Sequence, residues 1–304
     1  MPTTAQKIPW GAHHIVQEPT RFSFSRAIES WETVPDAYKS FFEPLIVEGH
    51  KFPYAVLTPA HRGYIHRANE KLVCTLDSGI HILERNGNNF AGVCHPVPEI
   101  SYVEVRAILL DSSIKITGTT KSGTPKMSIV QFNSVTDYLF TPILRKIRGF
   151  ETDRDLNVLR TEMDKFDEWA KPSFKFMNYA RSSLMGSEKV FHSILQPEIR
   201  TNGFRIFGRT YYKTISPAHA SILTDRELIM IREEVRYGGE DRYGGIWDYI
   251  PLNKITDLTL RNVDRNLLSL SIQLPNEAHL EFLYQASAKE ELNELITQFK
   301  ELTA

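Results

Sequence analysis

The 304-residue chain carries 36 Lys/Arg against 37 Asp/Glu, with 41% hydrophobic and 24% charged residues. This balance excludes a wholly disordered chain, a collagen and a coiled-coil rod, and the net charge of −1 lacks the basic excess of a dedicated nucleic-acid binder. Two cysteines, Cys74 and Cys94, are too few for a disulfide framework, and no Cys-x-x-Cys pair offers a structural zinc site.

A prior of roughly 150 residues per domain points to two domains. Residues 1–10 lack the apolar run of a signal peptide, and no window reaches the ~18–20 apolar residues of a membrane span. The last four residues, Glu301-Leu302-Thr303-Ala304, form no prenylation motif. The expectation is a cytoplasmic protein with reduced cysteines, peripheral attachment to a membrane staying open. Residues 1–20 read as irregular. Residues 35–42 read as a short helix with Pro35 at its first turn.

The chain then repeats itself. Lys51-Phe52-Pro53-Tyr54-Ala55-Val56-Leu57-Thr58-Pro59 parallels Lys189-Val190-Phe191-His192-Ser193-Ile194-Leu195-Gln196-Pro197. Leu76-Asp77-Ser78-Gly79 parallels Thr224-Asp225-Arg226-Glu227, each an Asp-containing turn feeding an apolar strand. Val97-Pro98 and Ile250-Pro251 each precede a strand-like stretch. In the second copy Leu268, Leu270, Ile272 and Leu274 alternate with polar residues, and after a turn Leu280, Phe282 and Tyr284 again fall on alternate positions. Each copy closes on an amphipathic helix. The second starts at a Ser287-x-x-Glu290 capping box and presents Leu292, Leu295, Ile296, Phe299 and Leu302. The first starts near Ser134 and contains Pro142, which kinks or splits it.

The strand pattern of 222–231 and 250–258, with the terminal helix of 288–302, resembles the bacterial pleckstrin-homology-like domain. The resemblance covers about 187–304 and, more weakly, 49–150. It implies an α+β fold of two seven-stranded, partly open antiparallel β-barrels, each closed by a C-terminal helix and joined by a helical linker. It also implies binding or scaffolding without catalysis. The expected organisation is an N-terminal extension over 1–48, a first barrel over 49–150, a helical linker over 151–186 and a second barrel over 187–304. In the linker, Leu156, Leu159, Met163, Phe166 and Ala170 form an a/d seam of about two heptads, short for an independent coiled coil. Pro172 limits it, and a second helix follows over 174–184.

Candidate chemistry is sparse. No Gly-x-Ser-x-Gly elbow, Walker loop or His-Glu-x-x-His occurs. Cys94 and His95 with His81 form the one notional metal set, weakened because a strand places His81 opposite in face to Ile80 and Ile82. Glu233-Glu234 and Glu240-Asp241 flank a Gly-rich loop in which Arg236-Tyr237-Gly238-Gly239 recurs as Arg242-Tyr243-Gly244-Gly245. Arg and Tyr are enriched at binding hot spots, so Arg236, Tyr237, Arg242 and Tyr243 are the expected partner-binding residues. Residues 49–150 hold 12 Lys/Arg against 7 Asp/Glu, and residues 187–304 hold 14 against 17. Arg85, Lys115, Lys121 and Lys126 are therefore the expected ligand-binding residues for an anionic headgroup or phospho-ligand. The sequence reading is a non-enzymatic interaction or scaffold protein that binds a protein partner or itself. Its alternative is peripheral binding to an anionic membrane through the basic first barrel. No cofactor, metal or nucleic acid is expected.

Overall fold

The computed structural model describes residues 24–43, 52–62, 67–150, 155–200, 204–206, 209–234 and 243–304. The first half begins with β1 (Arg26–Ile28), α1 (Asp36–Phe42), β2 (Tyr54–Thr58) and the small hairpin β3 (His61–Arg62) and β4 (Arg67–Ala68). Three longer strands follow, β5 (Glu70–Leu76), β6 (Gly79–Asn86) and β7 (Asn89–Pro96). Then come β8 (Ile100–Ile108), β9 (Asp111–Thr119), β10 (Pro125–Asn133) and α2 (Thr141–Ile147). The linker is α3 (Leu156–Asp164) and α4 (Ala170–Ser183). The second half opens on β11 (Val190–Gln196) and the short strands β12 (Ile199–Arg200), β13 (Phe204–Ile206), β14 (Arg209–Tyr211) and β15 (Thr214–Ser216). It continues with β16 (His219–Thr224), β17 (Glu227–Arg232), β18 (Gly245–Pro251), β19 (Asp257–Asn262), β20 (Leu267–Gln273), β21 (His279–Gln285) and α5 (Lys289–Thr303). Among the described residues no helix is long and apolar enough to cross a membrane.

The two halves share an element order: four principal strands, three strands, a helix. They also share local geometry. Pro96 and Pro251 each cap a 3-10 turn with almost identical backbone angles, φ −59°, ψ 132° and φ −57°, ψ 135°. Gly79 pairs with Pro96 as Glu227 pairs with Pro251.

The expected pair of separate seven-stranded barrels is not formed. The described strands make a five-stranded sheet (β1-β2-β5-β6-β7), a seven-stranded sheet (β10-β9-β8-β18-β17-β16-β11), a three-stranded sheet (β19-β20-β21) and three two-stranded ribbons. Two pairings account for the open architecture. The edge of β2 that closure with β10 would use is taken by β1, with Arg26 opposite Leu57 and Ile28 opposite Ala55. β8 pairs with β18, Val103 opposite Tyr249 and Ala107 opposite Gly245, so strands of both halves merge into one sheet.

The pleat of this sheet separates two chemistries. On one face Ala220, Ile222, Ile229, Ile231, Trp247, Tyr249, Val103, Ile114, Ile116 and Val130 join one core with Val56, Val73, Ile80 and Ile82 of the five-stranded sheet and Phe176, Met177 and Ala180 of α4. On the other face Ile194, Leu223, Leu228, Met230 and Ile250 meet β19–β21 and Leu292, Leu295 and Phe299 of α5. β16 and β17 are covered on both faces, and β17 accordingly holds an unbroken apolar run, Leu228-Ile229-Met230-Ile231. β9 is covered on one face and alternates. A third cluster packs Tyr38 and Phe42 of α1 on Ala55, Leu72 and Cys74. α1 thus covers in the first half the face that α4 covers in the second.

Helix ends depart from the sequence reading in local ways. Pro142 splits rather than kinks its helix: a 3-10 stretch, Ser134–Phe140, precedes α2 and Pro142 lies in the first turn of α2. The linker seam packs inward, with Phe166 buried and Leu159 and Met163 against the shared core, while Leu156 is exposed. Pro172 lies within α4, and Ser173 leaves helical geometry and accepts a bond from the Phe176 N–H at 3.3 Å. The Ser287 capping box is not formed. A 3-10 turn, Ala286–Ala288, absorbs Ser287, and α5 starts without a side-chain cap.

Candidate functional site

Ile108 pairs with Asp111, so Leu109 and Leu110 alone make the β8–β9 turn. Two-residue hairpin loops need positive φ and normally use Asn or Gly. Here Leu109 takes φ 54°, a costly conformation for a residue with a branched side chain. Neither leucine gains burial from it, at 62% and 64% exposure. The Ser134 N–H donates to the Leu110 carbonyl at 3.3 Å, and Ser112 and Ser134 share a hydroxyl bond of 2.7 Å. That docking brings Val135 (61% exposed) beside the turn, with Tyr138 (65%) three residues further along the same 3-10 stretch. From the other side Gly244, at φ +85°, lies against the Ala107 carbonyl and Ile108 Cα, where any Cβ would collide. This contact holds exposed Tyr243 at the same end of the sheet. The result is a set of exposed apolar side chains at one end of the sheet, its tip. Exposed apolar clusters of this kind mark interaction sites.

Among the described residues the acids at this end are ion-paired. Arg106 donates to Asp111 at 2.7 Å and to Glu234 at 2.8 Å, and Lys175 donates to Glu233 at 2.7 Å. Tyr243 is the one expected partner-binding residue the structure places here. Arg236, Tyr237 and Arg242 lie outside the described residues.

The four expected ligand-binding cations do not converge. Arg85, near the β6–β7 turn, bonds the Gly87 carbonyl at 3.0 Å and lies 3.6 Å from Glu70. Lys115, in mid-β9, donates to Glu104 at 2.7 Å. Lys121 and Lys126 flank the β9–β10 turn, at the opposite end of these strands from Leu109. A nine-residue strand separates the two ends by roughly 26 Å. Lys126 borders a cleft of about 230 Å³ between β9–β10 and the β20–β21 turn, where Asn276 donates to Thr119 at 3.1 Å. The cleft falls below the ~300–1,000 Å³ usual for a small-molecule site.

Two buried ionic clusters tie the halves together. In the first, Arg148, just after α2, donates to Glu227 of β17, to the Ser183 carbonyl at 2.9 Å and to Glu188 at 3.5 Å. Its guanidinium stacks 3.8 Å from the Tyr249 ring. Glu188 also accepts from Thr224 at 2.7 Å and from the Met185 N–H at 3.1 Å. Burial first, and then the Glu227 carboxylate, push Glu188 up to about 8. In the second, at the β8–β18 seam, Asp248 lies directly opposite Glu104. Arg232 bridges both, at 2.8 Å to Glu104, and Lys115 completes the set. Burial pushes Asp248 up to about 6, with Glu104 adding to the rise and Arg232 opposing it. These clusters hold elements in register, and none faces a cavity large enough for a substrate among those described.

The notional metal set comes apart. Cys94 and His81 are cross-strand neighbours, 3.4 Å between Sγ and Nε2. His95 points to the other face and meets Ser128 at 2.9 Å. Burial raises the Cys94 thiol and lowers the His81 imidazole, so both shifts favour the neutral pair over thiolate and imidazolium. Among the described residues no group of three or more His, Cys, Asp or Glu is arranged to hold a metal ion. His219, driven down to about 4 by burial, is packed edge-on to Tyr284.

Sequence reasoning missed the tip because Ile108-Leu109-Leu110 reads as the end of a strand. The available signal was a turn position with no Gly, Asn or Pro. No family model matches this chain, and no curated protein matches it.

Proposed function

We propose that this chain is a non-enzymatic interaction protein that binds a protein partner through the tip formed by Leu109, Leu110, Val135, Tyr138 and Tyr243. The carrying observation is the leucine turn: backbone strain held in place with no burial in return is accounted for when a partner covers the leucines. A protein is favoured over an anionic bilayer because a bilayer attracts clustered Lys and Arg, and the two described cations at this end, Arg106 and Lys175, are each paired with a carboxylate. Arg85, Lys115, Lys121 and Lys126 offer no such cluster.

The test compares wild type with Leu110→Asp and with Leu109→Asn, a residue that tolerates positive φ. Each is used as bait in native extract, and each is sedimented with anionic vesicles at low salt. The expected result is a specific protein recovered by wild type and lost with Leu110→Asp, with unchanged melting. Leu109→Asn is expected to melt higher and bind more weakly. Equal recovery by all three, or salt-sensitive vesicle binding lost with Leu110→Asp, would overturn the reading.

A further inference from the structure

Strand β7 and strand β18 are equivalent elements with different neighbours. Each is the fourth principal strand of its half, and each runs into a proline-capped 3-10 turn. In both, the residue after the proline donates back to the preceding hairpin: Val97 to Ser78 at 2.7 Å, Leu252 to Arg226 at 2.9 Å. Antiparallel pairing alternates the direction of backbone groups. Phe90, Gly92 and Cys94 in β7, like Gly245, Trp247 and Tyr249 in β18, therefore turn theirs away from the hairpin partner.

On β18 that outer edge is filled by β8, the fifth strand of the other half. On β7 no described strand fills it: β7 ends its sheet, and residues 89–92 are all exposed. The strand reads Asn89-Phe90-Ala91-Gly92-Val93-Cys94-His95-Pro96, without one Asp, Glu, Lys or Arg to guard the edge. The fifth strand of the second half, β19, likewise ends its sheet. Among the described residues, one edge of each of the two kinds that meet inside the chain is thus left unmatched.

We propose that copies of this chain associate head to tail, β19 of one copy adding to the open edge of β7 in the next. The internal seam supplies the register. Ile246 opposite Arg106 becomes Ala91 opposite Arg261, Trp247 opposite Val105 becomes Gly92 opposite Leu260, and Asp248 opposite Glu104 becomes Val93 opposite Thr259. The new seam is free of the opposed carboxylates that Arg232 neutralises in the internal one. The mildly basic first half meets the mildly acidic second half of its neighbour. One bond, from the Lys121 N–H to the Cys94 carbonyl at 2.9 Å, is exchanged if pairing runs past Val93. The contact is heterologous and leaves a free edge at each end, so assembly continues past the dimer. This surface is separate from the apolar tip, so either proposal can fail alone.

The experiment is sedimentation velocity of the purified chain over a wide concentration range. The expected result is a mass that climbs beyond twice 34.9 kDa. Ala91→Lys, which sets a like charge opposite Arg261 of the neighbouring copy while facing Glu84 within its own sheet, is expected to weaken association at least tenfold. Asn262→Pro removes an outward N–H from the exposed end of β19 and is expected to do the same from the other side. The double variant A91K/R261E is expected to restore assembly, and unchanged melting of all variants separates these effects from misfolding. A monomer at every concentration would overturn the proposal. So would a dimer that stops there and ignores Asn262→Pro, since that marks β7 pairing with itself. Leu110→Asp is expected to assemble normally.

Discussion

The two halves repeat one strand order and bury it differently. In the second half the row Ile222, Ile229 and Tyr249 lies under α4 within the shared core. The equivalent row of the first half is Cys74, His81 and Cys94, where His81 is only half-buried beneath Phe41. In the second half β18 is covered at its outer edge by β8, and in the first half no described strand covers the outer edge of β7, which meets only the Lys121 N–H at Cys94. A duplicated pattern specifies strands and turns, whereas the edges left over decide whether each copy closes, merges or stays open.

The largest expected effect breaks the tie between the halves. Arg148→Met leaves Glu188 and Glu227 buried without their cation and is expected to cost about 3–5 kcal/mol near pH 8. The loss is expected to be smaller near pH 5, where Glu188 holds its proton. Chemical denaturation at both pH values measures it, and an equal loss at both would remove Glu188 from the account. Next, Ile229→Ala empties a fully buried position and is expected to cost about 2–5 kcal/mol. His81→Ala, at the equivalent position of the first half, is expected to cost about 1 kcal/mol. Equal losses would mean that the two rows are buried alike.

A smaller effect separates protonation from packing. Glu188 titrates higher folded than unfolded, so its contribution to stability is complete below about 4.5 and is lost as the pH rises through about 8. Glu188→Gln removes that dependence. Wild type is therefore expected to lose melting temperature relative to Glu188→Gln between pH 5 and pH 9, and parallel curves would contradict the shift.

Much of the repeat was legible because hairpins obey local rules. The Asp77 and Asp225 turns, the alternation of Leu268, Leu270 and Ile272, and the terminal helices all follow from nearest neighbours. The merging of the sheets was not legible, since no local pattern states which strand a free edge will meet. Its trace lay in charges set among apolar residues: Glu104 and Arg106 in β8, Arg232 in β17 and Asp248 in β18, which make sense only beside one another. The three residues of β1 gave no comparable warning, and they take the β2 edge that a closed first barrel requires. The four expected cations are dispersed for a related reason. Lys115 is a free charge in the sequence, but folding sets it across from Glu104.

Amide hydrogen exchange at equivalent positions tests the open edge most directly. Trp247, facing β8, is expected to be protected at every protein concentration. Gly92, its counterpart on β7, is expected to exchange rapidly in dilute protein and to slow as concentration rises. A Gly92 amide protected like Trp247 in dilute solution, or equally fast at both extremes, would contradict a first half that keeps its edge free for a second copy.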